Sequence, residues 1–283
     1  MMKKIALIND LSGFGKCSLT AAIPVISVMG IQACPLPTAV LTAQTGFPSY
    51  YCDDYTDRME HFTEEWNKMA VTFDGIYSGY LASTLQIEKV MNFLNNFQQK
   101  DTIYLADPVM GDHGKAYPFF SKELLQGMQE LSARATVITP NLTELCLLAG
   151  TDYEALYAHC RNTDYLQRIQ DICETLLTKA NQPQTIVVTG ILRTQKNTAT
   201  VTNLAVSDKE CVNMETPYTG ISFSGTGDLF ASVICGSLVK GLSITEALHK
   251  ASDFLQPAIE AATKEGIPRD HGIHFEQYLS RLL

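Results

Sequence analysis

Short apolar runs alternate with longer stretches of helical periodicity along most of this chain, and that alternation narrows the folds open to it more than any other feature. KIALIN, ACPLPTAVL, FDGIYSGYL, TIYLADPV, ATVITPN and TIVVTGI read as strands, several of them apolar on both faces. SLTAAIPVISVMG, TDRMEHFTEEWNKMA, TLQIEKVMNFLNNFQQ, SKELLQGMQELSA and DYLQRIQDICETLLTKA read as the helices between them. Strand, helix and parallel strand join by a right-handed crossover, so the pattern predicts an α/β fold: a mainly parallel central sheet with helices on both faces. The rhythm changes near the end, where TATVTNLAVS and ECVNMETP flank Asp208-Lys209 and predict an antiparallel hairpin at the sheet edge. GDLFASVICGSLVKG and ITEALHKASDFLQPAIEAATKEG follow, each a helix that stops at a glycine. No linker or internal repeat interrupts the pattern. The expectation is a single domain over residues 1–283, with no separate lid domain.

Of the 283 residues, 46% are hydrophobic, ample for a large core. The net charge is −9 and no Lys/Arg cluster builds a basic face, which argues against nucleic acid as a partner. No apolar run approaches the roughly 20 residues of a membrane span, and the first is a strand's length rather than a signal peptide's. The expected setting is therefore the reduced cytoplasm, away from membranes. Eight cysteines are scattered with no pair at C-x-x-C spacing, and Cys146 and Cys235 lie in apolar runs where cysteine acts as a small core residue. Inert thiols are expected, not disulfides or a metal site.

In open parallel sheets ligands sit beyond the carboxyl ends of the strands. The polar residues standing there are Asn9 and Asp10, Thr42 to Thr45, Ser78 and Tyr80, Asp107 to Asp112, Thr139 to Glu144, and Thr189 with Gly190, joined by Gly225 to Asp228 at a helix start. Two glycine-rich loops compete as phosphate sites. The first contains Gly15-Lys16, but a Walker A loop has glycine five residues before its Gly-Lys and a hydroxyl after it; here Asp10 and Cys17 occupy those places. A tight strand-to-helix turn accounts for it better. The second, Gly225-Thr226-Gly227-Asp228, opens an apolar helix whose first N–H groups and dipole favour an anion. An acidic residue in a first helical turn is stabilising without any function, but a plain cap does not require glycine on both sides of Thr226. A carboxylate beside an anion hole is what phosphoryl transfer uses, as base and charge stabiliser.

GTGDLFAS resembles the signature of the ribokinase superfamily, and SGYLAS and DPVMGDHGKAY resemble more specifically its vitamin B6 (pyridoxal) kinases. ITPNLTEL resembles the superfamily's N-x-x-E element, and the N-terminal INDLSGFGKCSLTAA and PLPTAVLTAQTGF complete a set of blocks spanning nearly the whole chain in family order. The resemblance implies a ribokinase-like three-layer sandwich and transfer of phosphate from ATP to the hydroxymethyl group of a B6 vitamer. It makes Asp228 the base, with Gly225, Thr226 and Gly227 stabilising the transferring phosphoryl. It sets Asp107, Asp112, Thr139, Asn141, Glu144, Thr189, Gly190, Thr226 and Gly227 around ATP, with Mg2+ organised by Asp107, Thr139 and Glu144, the last through water. Asn141 and Glu144 also stand at capping-box spacing, a purely structural reading compatible with the functional one. A monovalent cation such as K+ near Asp107, Thr139 and Thr189 is implied by resemblance alone. By the same resemblance the turn after the first strand, with Asp10 and Ser12, is expected to meet the pyridine ring, as is Thr45, and Tyr80 and Tyr117 are expected to pack over the site, where a half-buried tyrosine is the plain alternative. The family usually has serine where this chain has Asp10, so the carboxylate either pairs with a ring nitrogen or amine, or caps the helix that follows. Relatives are commonly homodimers through the sheet edge, which points to Tyr50-Tyr51. Arg193 and Lys196 read as a solvated turn, with phosphate contact as the alternative.

Two other functions remain open at this point. Hydroxymethylpyrimidine kinases share the fold, the base and DPVM, but commonly carry a cysteine in or just after the anion-hole loop, absent from SGTGDLF. A non-catalytic B6-vitamer-binding protein would have no use for Asp228. A sugar kinase would carry extra lid strands, for which there is no room between Gly30 and Asp74.

Overall fold

The computed structural model describes residues 2–117, 120–195 and 198–283. Nine strands hydrogen-bond into one mainly parallel sheet in the order β11-β10-β9-β8-β5-β4-β1-β2-β3, and the chain falls into two compact units, Met1–Leu105 with Thr219–Leu283, and Ala106–Tyr218.

The first unit begins with β1 (Lys4–Ser12), α1 (Ser18–Val28), β2 (Gln32–Leu41), β3 (Cys52–Asp54), α2 (Met59–Lys68), β4 (Gly75–Ser78), α3 (Thr84–Phe97) and β5 (Ile103–Ala106). Ile5, Ala6, Leu7 and Ile8 are 0% exposed, because β1 lies between β2 and β4, parallel to both, and its two faces are covered. The register of β1 against β2 slips between Asn9 and Leu11, which places Asp10 at the irregularity. Such irregularities re-aim side chains at sheet margins.

The second unit carries the short hairpin β6 (Gly111–Asp112) and β7 (Lys115–Ala116), then α4 (Lys122–Arg134), β8 (Val137–Ile138), α5 (Leu142–Ala149), α6 (Tyr153–Tyr157), α7 (Tyr165–Leu177), β9 (Thr185–Gln195), β10 (Thr198–Val206) and β11 (Cys211–Pro217). β9 pairs in parallel with β8 but antiparallel with β10, which pairs antiparallel with β11. The expected edge hairpin is present as part of a three-stranded antiparallel edge. ATVITPN yields only two ladder residues, extended by an isolated bridge from Asn141 to Thr189. At the far edge β3 is antiparallel to β2. Its three residues are all exposed, so it has no apolar period from which to read it.

The chain ends in the first unit with α8 (Thr226–Val239) and α9 (Ile244–Glu265). α9 has a Ser243–Glu246 capping box and stops at left-handed Gly266; α3 and α4 start on Ser83 and Ser121 side-chain caps. α1 and α8 start without a side-chain cap, on Cys17 and on left-handed Gly225. Their first N–H groups are thus left for other acceptors. α8 packs on α1, α9 and β4. All eight cysteines are free thiols, with Cys146, Cys173 and Cys235 buried. Among the described residues no helix is long and apolar enough to cross a membrane.

Candidate functional site

The first unit gathers the carboxylates of Asp10 and Asp228. Asn9, 1% exposed within β1, donates from Nδ2 to Asp228 Oδ1 at 3.3 Å, and its Oδ1 accepts from the N–H groups of Asp10 and Tyr80, each at 3.0 Å. Gly79 is glycine of necessity, since a Cβ there would overlap the Asn9 amide. The Asp10 carboxylate accepts from Ser12 Oγ at 2.8 Å and Ser18 Oγ at 2.6 Å. The Ser18 N–H also faces the Asp228 carboxylate. Burial raises the Asp228 carboxyl to about 6, opposed by the nearby Ser18 N–H, added to by the Asp10 charge, and opposed further by the Asn9 amide and the Tyr77 hydroxyl. Burial likewise raises Asp10 against its hydroxyl donors, and raises Tyr80, with the charge of Asp10 next in importance. A base titrating near 6 is ionised at neutral pH yet retains affinity for a proton, which suits general-base work.

Both glycine loops take part, in different roles. Gly225 has φ +80°, and a Cβ there would overlap the Lys16 carbonyl, so the first loop is the wall against which the second is folded. Gly227 faces open space, and Thr226 donates its hydroxyl to Phe223 O at 2.9 Å. The α8 start therefore presents its amides where backbone is bare, the condition for close approach of an anion. Lys16 reaches away: its ammonium pairs with Glu276 at 2.8 Å, over the Phe275 ring, and Lys16 itself has φ +50°. That is the tight turn expected of the first loop. Ser224 N–H donates to Arg269 O, and a Cβ on Gly272 would crowd Lys16, Gly15 and Ser224, so the C-terminal loop buttresses both.

The second unit gathers Asp107, Asp112, Asn141 and Glu144. The capping box is formed in full: Glu144 N–H donates to Asn141 Oδ1 at 3.0 Å, and Glu144 Oε2 accepts from Asn141 N–H at 2.8 Å. The pair does more than cap. Glu144 Oε1 accepts from Met110 N–H at 3.1 Å, and Asn141 Nδ2 donates to Gly111 O at 2.8 Å, so both side chains tie the Asp107–Asp112 loop to α5. Burial first, then the nearby Asp107 charge, holds the Glu144 carboxyl well above its ordinary value. Asp107 is 8% exposed. Thr139 Oγ1 is buried and has no partner among the described residues. Asp112 accepts from His113 N–H and pairs with the His113 ring.

The remaining expected residues are placed as follows. Ser12 and Tyr80 join the Asp10–Asp228 cluster, whereas Thr45 is exposed on the turn that Gln44 anchors to Asp270 O. Tyr117 is 44% exposed in the second unit, its N–H on Met110 O. Thr189 N–H donates to Pro140 O, and Gly190 is left-handed with its N–H on Asn203. Arg193 lies within β9, not in a turn, and pairs with Glu215 at 3.0 Å, while Lys196 falls outside the described residues. Asp10 is not the side-chain cap of α1, whose cap position is Cys17 with no side-chain bond. Two residues of the cluster have no sequence-derived role: Asn9, whose signal is a buried amide position at a strand end, and Ser18, whose left-handed backbone leaves no trace in the sequence.

The family model of phosphomethylpyrimidine kinase matches residues 16–273. A chain from Bacteroides thetaiotaomicron VPI-5482, provisionally named a phosphomethylpyrimidine kinase, is 38% identical in a rhombohedral crystal form, covering 99% of this chain and 94% of that one at a TM-score of 0.91. An orthorhombic form under the same name, with pyridoxal, is 39% identical, covering 100% and 96% at 0.89. Pyridoxal kinase PdxY of Histophilus somni (strain 2336) is 27% identical over 199 residues, 69% of this chain and 65% of that protein, so this match spans just under two thirds of the relative's length. The pyridoxal kinase of Lactobacillus plantarum, 24% identical over 100% and 97% of the two chains with a TM-score of 0.86, shares the ribokinase-like fold. This chain belongs to the phosphomethylpyrimidine kinase family.

Proposed function

We propose that the protein is an ATP-dependent kinase that phosphorylates the 5'-hydroxymethyl group of pyridoxal, pyridoxamine and pyridoxine. The observation that carries this reading is Asp228, titrating at about 6 in the first turn of a helix that opens on glycine. Its carboxylate takes the proton of the substrate hydroxyl; the oxygen attacks the γ-phosphorus, ADP departs, and the α8 amides from Gly225 onward stabilise charge on the migrating group. Asp10, Ser12, Thr45 and Tyr80 in the first unit, and Tyr117 in the second, are assigned to the acceptor. Asp107, Asp112, Thr139, Asn141, Glu144, Thr189 and Gly190 form the nucleotide side. The Bacteroides relative crystallised with pyridoxal supports a B6 vitamer as the acceptor.

Mg2+ fits the second cluster, since Asp107 and Thr139 offer hard oxygen donors, one of them the orphaned Thr139 Oγ1, while both Glu144 oxygens already hold N–H groups and suit an outer role through water. The ion would neutralise phosphate charge there. A monovalent cation at Asp107, Thr139 and Thr189 is part of the reading; replacing K+ by a large inert cation should then lower turnover. So are a homodimer through the edge bearing Tyr50 and Tyr51, 43% and 68% exposed, a cytoplasmic setting that suits free thiols, and one catalytic domain over 1–283. Light scattering and a single calorimetric transition test the dimer and the domain.

A second reading has its own observation: the family model is that of phosphomethylpyrimidine kinase, so hydroxymethylpyrimidine is the competing acceptor. A coupled assay for ADP with pyridoxal, pyridoxamine, pyridoxine and hydroxymethylpyrimidine separates the two. Turnover confined to the pyrimidine would replace the proposal, and tight vitamer binding without turnover would make the protein a non-catalytic binder.

A further inference from the structure

Asp10 stands among the expected ring contacts, yet both of its carboxylate oxygens are engaged by serine hydroxyls, Ser12 on one and Ser18 on the other, and Asp10 itself is 6% exposed. Ser18 has φ +51°, the left-handed region that a residue with a Cβ enters only under constraint. The residue so constrained turns its N–H toward the Asp228 carboxylate, near enough to favour its ionised form. A short chain of contacts thus runs from a strand irregularity through a strained serine to the carboxylate proposed as base.

We propose that Asp10 is a positioning residue: its carboxylate clamps the Ser18 hydroxyl, holds Ser18 left-handed, and so aims the Ser18 N–H at Asp228. This rests on Asp228 being the base of the proposed kinase. The unused lone pairs of Asp10 leave it free to meet a substrate as well, but its first task is within the protein. The clamp and the charge act on Asp228 in opposite directions. The N–H it delivers favours the ionised base, while the Asp10 charge disfavours it. The other titratable groups facing Asp228 are Cys17, whose thiol burial pushes up to about 12, and Tyr77 from β4; Tyr80 and Cys52 face Asp10.

The test uses the full chain as wild type, Asp10→Asn, Ser18→Ala and Ser18→Gly, with 13C-carboxyl NMR titration of Asp228 beside the pH profile of kcat/KM for pyridoxal. Ser18→Ala removes the clamp but keeps the backbone strain, so the N–H turns away, the Asp228 titration moves to higher pH, and kcat falls about ten- to hundredfold, the scale of a misplaced group. Ser18→Gly accepts the left-handed backbone unclamped and restores both. Asp10→Asn keeps a hydroxyl acceptor and removes the charge, so the Asp228 titration and the acid limb move to lower pH, whatever the change in KM. An unmoved Asp228 titration in all three variants overturns the proposal, as does an Asp10→Asn effect confined to KM. A wild type that phosphorylates neither vitamer nor pyrimidine refutes the kinase reading instead, and the NMR titration still decides the clamp.

Discussion

Each unit of the molecule places a raised carboxylate in the first turn of a helix, and the two are held in opposite ways. Glu144 is closed in: one oxygen takes the Asn141 N–H, the other the Met110 N–H, and the group is 4% exposed. Asp228 sits on a helix with no side-chain cap, and its hydrogen bond comes from the Asn9 amide on another segment rather than from a capping box. A capping box spends the carboxylate on the helix; a glycine start leaves the carboxylate and the first amides to a ligand. A carboxylate in the first turn is thus a strut in one unit, and in the other it is left for the reactive role proposed for it.

The sharpest break of that contrast is Asp228→Asn. If the group is reactive, kcat falls by about 10² to 10⁴ while KM changes little. Wild-type kcat/KM should then lose activity below an apparent pKa of about 6, a limb absent from the residual activity of the variant. Stability should move the other way. A carboxyl raised from 3.8 to about 6 on folding gives stability that is full below 3.8 and is lost as pH rises through 6. Asp228→Asn is free of that loss, so its Tm gain over wild type should be greater at pH 7 than at pH 4. A Tm gain equal at both pH values would show that the folded Asp228 is not raised.

Next in size is the pair of loop glycines. Gly225→Ala meets both φ +80° and the Lys16 carbonyl, and should cost about 1–3 kcal/mol or more in denaturant unfolding together with most of the activity. Gly227→Ala meets open space, so its Tm should hold while turnover drops where the methyl obstructs the phosphoryl group. Equal Tm losses would mean that the α8 start is built for the fold alone.

Glu144→Gln sharpens the other half of the comparison. An amide cannot accept both N–H groups, so unfolding free energy should fall by about 1–3 kcal/mol. If Glu144 also organises Mg2+, the metal concentration for half-maximal turnover should rise by more than that strain explains, which Asn141→Ala, costing about 0.5–2 kcal/mol as a lost cap, controls for. The smallest effect is expected at Arg193→Ala. It breaks an ion pair with Glu215 in which the arginine side chain is 12% and the glutamate 44% exposed, worth about 1 kcal/mol, and should leave the KM for ATP unchanged.

The sheet, its edge hairpin and the helix starts at Leu142 and Thr226 were legible because each follows from a period or a cap that adjacent residues write out. So were Asp228, Asn141 and Glu144, which carry their motifs beside them. β3 was not, being three exposed residues long, and the ATVITPN strand was read too long, since only Val137–Ile138 form β8. Arg193 was misread as part of a turn because strand β9 continues past its apolar stretch into polar residues supported by β10.

Local sequence therefore determined the α/β class, the family blocks and which carboxylates stand at helix starts, since all of these depend on residues within a turn or two of one another. Tertiary structure alone decided that Asp10 turns to Ser12 and Ser18, that Lys16 turns to Glu276, and that its carbonyl makes Gly225 obligatory. Those outcomes depend on a register slip, a left-handed serine and loops that are distant in the chain. Side-chain direction and close backbone approach are properties of the folded packing, and no single stretch of sequence records them.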